Sequence, residues 1–245
     1  MMRPLLSALA AIAMMLAAAL PARAGDAATL EILGFSADGG IFAFEQYGVQ
    51  DGSGFPYAER FYINVDTDSW LPGTPIRVRI EDETASVEDA RAQARAQGQS
   101  VISDAELAGN RGFTAGMNMV TEYSADPHRM AVNPRPVFPP VDDALEFRIE
   151  EVIVSPPELC EALGWDIKGF RLIRVDATPG GVSELVHEDG ANVPASRGCP
   201  LGYSVGAIQT YFPQPGSPSY AVLIAIRTFG FEGPDHRWMA IAGRL

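Results

Sequence analysis

Cysteine, histidine and lysine are scarce in this chain, and each scarcity excludes a class of protein. The 245 residues include two cysteines and three histidines, and Lys168 is the only lysine. The histidines His128, His187 and His236 do not have the spacing of a zinc site, and no HExxH motif occurs. We therefore expect no metal and no cofactor. The formal net charge of −13 makes nucleic acid and anionic membrane surfaces poor partners.

Long apolar runs are also missing, except at the start of the chain. Arg3 precedes an uncharged apolar stretch from Leu5 to Leu20, and Ala22 and Ala24 are the small residues that a signal peptidase reads. This pattern predicts a signal peptide over residues 1–24. Residues 25–245 would then be exported to the periplasm or secreted, as one domain without membrane insertion, because no later segment is long and apolar enough to span a bilayer.

The two cysteines have only each other as intramolecular partners. In an oxidising compartment we expect Cys160 and Cys199 to form a disulfide; the alternative is two buried free thiols. The loop that they close, of about 39 residues, corresponds to roughly 4 kcal/mol of stabilisation in the chain-entropy treatment.

Residues 25–245 show mainly the pattern of β-strands. Residues 76–80, for example, alternate strictly between apolar and charged side chains, and turn residues separate about eleven such segments. A unit of strand, irregular loop and strand recurs over residues 41–65, 147–175 and 221–241. The pattern predicts a propeller-like β-meander, with a β-sandwich or a barrel as the alternative.

One stretch, at about residues 84–109, has helical instead of strand periodicity. Ser86 is followed by acidic residues in the first helical turn, and Gly98 is a stop signal. Ser103 begins a second capping box, and the helix that it starts is predicted to end at Gly109. We expect a short helical insertion on the surface of the β-structure.

Two resemblances add to this interpretation. Residues 34–39 (GFSADG), followed by 42–44 (FAF) and 62–66 (YINVD), resemble one blade of the TolB-type propeller repeats. Residues 44–57, 194–200 and 230–235 resemble an uncharacterised family of predicted secreted bacterial proteins, and the likeness spans nearly all of residues 30–243. The second resemblance implies export and no particular activity.

Aromatic and arginine residues on two loops favour a binding function. Phe55 and Tyr57 lie in a glycine-rich loop, and Phe231, Arg237 and Trp238 lie near the end of the chain. Such residues anchor many protein interfaces, although they also pin loops to a core. We predict a non-enzymatic binding module for an envelope or secreted protein, with these five residues as the binding site.

An enzyme is the alternative class. No G-x-S-x-G motif occurs, and Ser196, His187 and Asp189 lie so close along the chain that we do not expect them to form a catalytic triad. A secreted hydrolase would instead use paired loop carboxylates. The candidates for that role are Glu45, Asp51, Glu59 and Glu232.

Overall fold

The structure is a computed structural model that describes residues 25–178 and 180–245. The predicted signal peptide, residues 1–24, lies outside the described residues. The strands are β1 Thr29–Phe35, β2 Ile41–Val49, β3 Pro56–Asn64, β4 Ser69–Trp70, β5 Ile76–Arg79, β6 Phe113–Met117, β7 Arg129–Val132, β8 Leu145–Ile153, β9 Lys168–Val175, β10 Glu184–Glu188, β11 Pro200–Tyr211, β12 Ser219–Thr228 and β13 Asp235–Arg244. The helices are α1 Val87–Gly98, α2 Asp104–Gly109 and α3 Glu158–Glu161, with a 3-10 turn at Ala195–Arg197.

The strands form three antiparallel sheets. The first, which we call the helix-covered sheet, has the order β1-β2-β3-β4, and β5 also pairs with β3. The central sheet has the order β13-β12-β11-β6, and the outer sheet has the order β10-β9-β8-β7. As the structure describes them, none of the three sheets closes on itself.

The central sheet is buried on both faces. Along β12, Leu223 and its neighbours at alternate positions pack against the helix-covered sheet. Val222 and Ile224 point the opposite way and pack against the outer sheet. Nine of the ten residues of β12 are buried, which explains why its sequence is continuously apolar instead of alternating. The three sheets therefore stack as layers.

Large side chains on one sheet meet small ones on the next. Phe42, Phe44 and Phe61 of the helix-covered sheet point at the central sheet, and the rings of Phe44 and Phe61 stack with their centroids 4.6 Å apart. The central sheet presents mostly alanine on this face, including Ala221 and Ala240. Alternating large and small residues across an interface allow two sheets to interdigitate without voids.

Both predicted helices of the insertion are present and cover the far face of the helix-covered sheet. Ser86 caps α1 through a reciprocal pair of hydrogen bonds with Asp89, which is a capping box. Ala90 and Ala94 form the buried side of α1 and pack with Tyr62 of β3. The small alanine side chains allow the helix to lie close to the sheet.

A buried ion network fixes α1 to the sheet. Glu45 of β2 is 3.4 Å from the Nε of Arg60, and the Nε of Arg91 on α1 donates to Glu45 at 2.6 Å. Arg60 also donates to Asp104 of α2 at 2.6 Å. The predicted role of Glu45 as a loop carboxylate is therefore wrong, because Glu45 lies on a strand and is neutralised by two arginines.

The mainly β class is confirmed, but the propeller-like arrangement is not. A propeller needs blades arranged around a channel. The three sheets here stack face to face, and the central sheet is covered on both faces. The two-residue strand β4 was missed in the sequence because it is too short for a periodic signal.

The disulfide between Cys160 and Cys199 is present in the structure, with the two Cα atoms 5.7 Å apart. Both residues are buried, in a small apolar cluster with Ile167 and Val193. The bond joins α3 to the residue that precedes β11. It therefore ties a connection of the outer sheet to the central sheet.

Gly206 provides a test of the packing within the central sheet. It lies in a bulge of β11, and an added Cβ would overlap the ring of Trp238. We expect Gly206→Ala to lower the free energy of unfolding by about 1–3 kcal/mol, because overpacking displaces the indole. Urea unfolding measures the change.

Gly190→Ala is the matched control. An added Cβ at Gly190 meets no atom within 4 Å, so its effect should be small. Equal stability of the two variants would show that the indole does not need the space above Gly206.

Candidate functional site

The two loops that were predicted to bind a partner contact each other. The backbone N–H of Glu232 donates to Asp51 Oδ2 at 2.8 Å, and the ring of Phe231 lies over Gly52. This contact joins residues 181 positions apart in the chain. The helix-covered sheet and the central sheet bring the loops together at one end of the molecule.

Tyr57 and Arg237 meet at a buried carboxylate, Asp26. Arg237 Nη2 lies 2.7 Å from Asp26 Oδ2, the hydroxyl of Tyr57 donates to Oδ1 at 3.2 Å, and the guanidinium lies over the tyrosine ring. Burial raises the pKa of Asp26, against the opposing effect of Arg237. Asp26 was not predicted from the sequence, because no local pattern around a single aspartate indicates which distant residues it will contact.

Trp238 lies inside the structure. Its ring N–H donates to the carbonyl of Ala28 at 2.9 Å, and its backbone N–H donates to Gln46 Oε1 at 2.7 Å. Only 5% of Trp238 and 7% of Tyr57 are exposed. In this structure both side chains hold layers together, so they are not part of an exposed surface that a partner could cover.

Phe55 and Phe231 differ from these buried residues. Phe55 is half-buried in the turn between β2 and β3, where its carbonyl accepts from the N–H of Gln50 at 2.8 Å. Phe231 is 84% exposed. Of the five predicted binding residues, Phe231 therefore has the surface exposure that a docking residue needs, and the binding role of the set stays a prediction.

A cleft of about 470 Å³ runs along the free edge of β13. We call it the edge slot. Four consecutive residues, Trp238 to Ile241, form its floor. The walls are Phe61, Trp70 and Arg77 on the side of the helix-covered sheet, and His187, Ser196 and Arg197 on the side of the outer sheet. Its volume lies within the range typical of ligand sites.

Two carboxylates line the edge slot. Asp68 accepts a hydrogen bond from the backbone N–H of Ala242 at 2.9 Å. Surrounding protein nevertheless raises the pKa of Asp68 above its ordinary value. Glu59 accepts from Arg77 at 3.0 Å and from Gln46 at 2.7 Å. Asp68 has no such cationic partner among the described residues.

The opposite wall is held by a third carboxylate, Asp189. Arg197 Nη1 donates to it at 2.6 Å, His187 Nε2 lies 3.1 Å away, and the backbone N–H of Phe170 donates at 2.9 Å. Burial raises the pKa of Asp189, but these hydrogen bonds outweigh burial and lower the pKa to about 2. Asp189 is thus an ionised anchor for the His187 and Arg197 side chains.

The structure does not assemble a catalytic triad. Ser196 and His187 both line the edge slot, yet no hydrogen bond between them is present in the described part of the chain. The ring nitrogen of His187 that faces Asp189 is Nε2, and the ring stacks on Phe170. Among the predicted loop carboxylates, Glu59 lies in the slot, whereas Asp51 and Glu232 belong to the paired loops.

A second concave surface carries exposed aromatic residues. Trp165, Phe229 and Phe231 line a groove of about 650 Å³, and they are 61%, 45% and 84% exposed. We call this surface the aromatic groove. Lys168 and Arg227 also line it. Trp165 and Phe229 were missed in the sequence analysis, because nothing in a single sequence distinguishes an exposed aromatic residue from a core one.

Within residues 25–178 and 180–245, no three His, Cys, Asp or Glu side chains are grouped so that they could hold a metal ion. The same part of the chain contains no helix that is both long enough and apolar enough to cross a membrane.

These features define a stack of three β-sheets with two concave surfaces at its edges. Residues 43–244 match the model of a family described as predicted secreted protein (DUF2259), and the chain belongs to that family. The description supports export of the protein. The TolB-type blade detail is not confirmed by any comparison. No curated protein and no solved structure matches the chain.

Asp189 gives the wall of the edge slot a pH dependence. A carboxyl whose pKa is depressed in the folded state stabilises the fold above its unfolded pKa, and this contribution is lost as the pH falls. We expect Asp189→Asn to destabilise the protein by about 1–2 kcal/mol at pH 7. The difference should shrink between about pH 4 and pH 2.

Urea unfolding at several pH values tests this expectation, and Glu161→Gln, at an exposed carboxylate of α3, is the control. A stability difference for Asp189→Asn that does not change with pH would contradict an ionic role for Asp189.

Proposed function

We propose that residues 25–245 form one exported domain that acts as a non-enzymatic binding module for an envelope or secreted protein. The observation that supports the proposal most directly is the aromatic groove. Three large aromatic side chains, Trp165, Phe229 and Phe231, lie exposed around one concavity on an otherwise acidic chain. Contiguous exposed apolar surface of this kind marks interaction sites in soluble proteins.

Two carboxylates, Asp166 and Glu232, line the groove together with Lys168 and Arg227, and among these charged residues Arg227 indicates one contact of the partner. Arg227 donates to the carbonyl of Leu201 at 3.2 Å and has no carboxylate partner among the described residues. Tryptophan and arginine are the residues enriched at energetic hot spots of protein interfaces. A partner that places an apolar side chain between the aromatic rings and a carboxylate on Arg227 would match this surface.

The groove is braced before any partner binds. The backbone N–H of Phe229 donates to the carbonyl of Cys199 at 3.1 Å, so the disulfide fixes one rim. The hydrogen bond from Glu232 to Asp51 fixes the loop on the other side. A preorganised surface loses less conformational entropy on binding than a mobile one. The contact between the glycine-rich loop and the aromatic loop thus positions Phe231.

A hydrolase that uses carboxylates is the second candidate, and the observation that favours it is Asp68. A carboxyl with a raised pKa in a cleft can act as a general acid, and Glu59 lines the same cleft. Hydrolysis of chromogenic glycosides or esters by the wild type, but not by Asp68→Asn, would establish this function.

Site-specific photo-crosslinking tests the binding proposal. A photoreactive phenylalanine analogue placed at Phe231 or Trp165 should give a defined adduct with a partner protein in the exported fraction of the source cells. Arg227→Glu should reduce the yield of that adduct about tenfold, because it repels the partner's carboxylate.

Phe138 provides the matched control, since it is 96% exposed but does not line the aromatic groove. The analogue at Phe138 should not give the adduct. If positions 138 and 231 capture the same proteins in the same amounts, the groove has no specific role and the proposal is wrong.

A further inference from the structure

Between His236 and Ala242, the outward N–H groups of β13 are nearly all bonded by the protein itself, with one gap. In an antiparallel pair, alternate residues direct both backbone groups away from the partner strand. On β13 these are His236, Trp238, Ala240 and Ala242, because the register with β12 is regular. The N–H of His236 donates to Asp26, that of Trp238 to Gln46 and that of Ala242 to Asp68. Ala240 N–H has no partner among the described residues.

The gap opens into the edge slot. Ala240 lies in the middle of the slot floor, and the carbonyls of Trp238 and Ala240 point the same way as its N–H. One donor and two acceptors of an interior sheet are thus directed into a cleft. Buried backbone groups are paired in more than about 90% of cases, so this edge has the hydrogen-bonding capacity for a further strand.

The layers on either side extend past this edge. Phe61 and Trp70 overhang β13 from the helix-covered sheet, and His187 and Ser196 overhang it from the outer sheet. The central sheet is therefore the narrower layer of the stack at this side. The space that remains has the position of one more strand of the central sheet.

We propose that the edge slot binds an extended peptide segment of a partner protein, which adds to β13 as a strand. Main-chain hydrogen bonds to Ala240 and Trp238 hold the peptide backbone, as in β-strand addition generally. From Trp238 to Ile241 the floor spans about 10 Å at the usual rise of a strand, which accommodates about three peptide residues. This site is separate from the aromatic groove.

Residues 26–28, at the start of the described part of the chain, already use this edge in the same way. Ala27 forms an isolated parallel bridge with His236, in which the N–H of Ala28 donates to the carbonyl of His236 at 3.0 Å. The segment then leaves β13 to become β1 of the other sheet. Backbone addition at the β13 edge is therefore part of the native fold, and the edge slot continues directly from it.

The two walls specify the side chains of the peptide. Successive residues of a strand point to opposite sides. One side faces Phe61 and Trp70, whose rings lie within about 6 Å of the Arg77 guanidinium. The other side faces His187, Ser196 and Arg197. An apolar or aromatic residue followed by a residue that accepts hydrogen bonds, such as Asp or Glu, would match the rings of one wall and the donors of the other.

Nuclear magnetic resonance on the isotope-labelled mature protein tests the proposal. The probe is a set of end-blocked tetrapeptides with Phe, Tyr or Leu at the second position and Asp or Glu at the third. We expect saturable shifts of the amides from Trp238 to Ala242 and slower hydrogen exchange at Ala240. The same peptides methylated on the backbone nitrogens should bind at least about tenfold more weakly, because they lack the donors of a strand.

Two variants separate the slot from general effects on folding. Ala240→Pro removes the N–H at an outward-facing edge position, where proline is tolerated, and should weaken binding about tenfold or more. Ser196→Trp fills the slot without altering β13. Ser100→Trp, at an exposed position of the helical insertion, is the matched control and should bind like the wild type.

Each remaining outcome would overturn strand addition. Peptide-induced shifts confined to Trp165, Phe229 and Phe231 would place binding in the aromatic groove and leave the proposed function intact. Amide chemical shifts that depend on the protein concentration, and not on the peptide concentration, would indicate that a second copy of the chain binds at β13. Absence of any shift with the whole peptide set, in a protein that is folded by its spectrum, would exclude the edge slot as a peptide site.

Discussion

The requirement that the central sheet be covered on both faces governs the structure. An apolar strand such as β12 can exist in water only if another layer removes each of its faces from solvent. The helix-covered sheet supplies phenylalanine side chains that fit the alanines of one face, and the outer sheet covers the bulkier side chains of the other. The connections, the disulfide and the helical insertion all serve to keep these layers in place. At the free edge of β13, side chains from the layers on both faces line a cleft beside the central sheet.

Arginine-carboxylate pairs hold the layers together at buried points. Glu45 with Arg91, Asp104 with Arg60, and Asp26 with Arg237 each join segments that are distant along the chain. A planar guanidinium can donate to several oxygens at fixed angles, which a lysine ammonium cannot do. The chain contains almost no lysine, and arginine forms these buried ion pairs. Removal of one partner would leave an uncompensated charge in a low-dielectric region.

Local features of the fold were predictable from the sequence, and tertiary features were not. The capping box at Ser86, the alternation in β5 and the pairing of the only two cysteines depend on residues close in sequence or on a single possible partner. The stacking of sheets depends on which strand faces which, and for that reason the sequence alone did not determine it; the propeller-like arrangement is not confirmed. In the site, the sequence identified the loop that carries Phe231. It also selected Tyr57 and Trp238, which are buried, because an aromatic residue beside glycines gives the same pattern whether it points inward or outward.

The pairing of the N-terminal segment with β13 determines when folding can finish. Asp26 contacts Arg237 across a separation of 211 residues, and residues 26–28 also bond the backbone of His236. A contact between the earliest described residues and the last strand cannot form until nearly the whole chain has been synthesised, and such long-range closure is slow. A chain with this topology remains incompletely folded while it is still emerging. That delay is compatible with the description of the family as predicted secreted, because a chain that crosses a membrane unfolded acquires such contacts only afterwards.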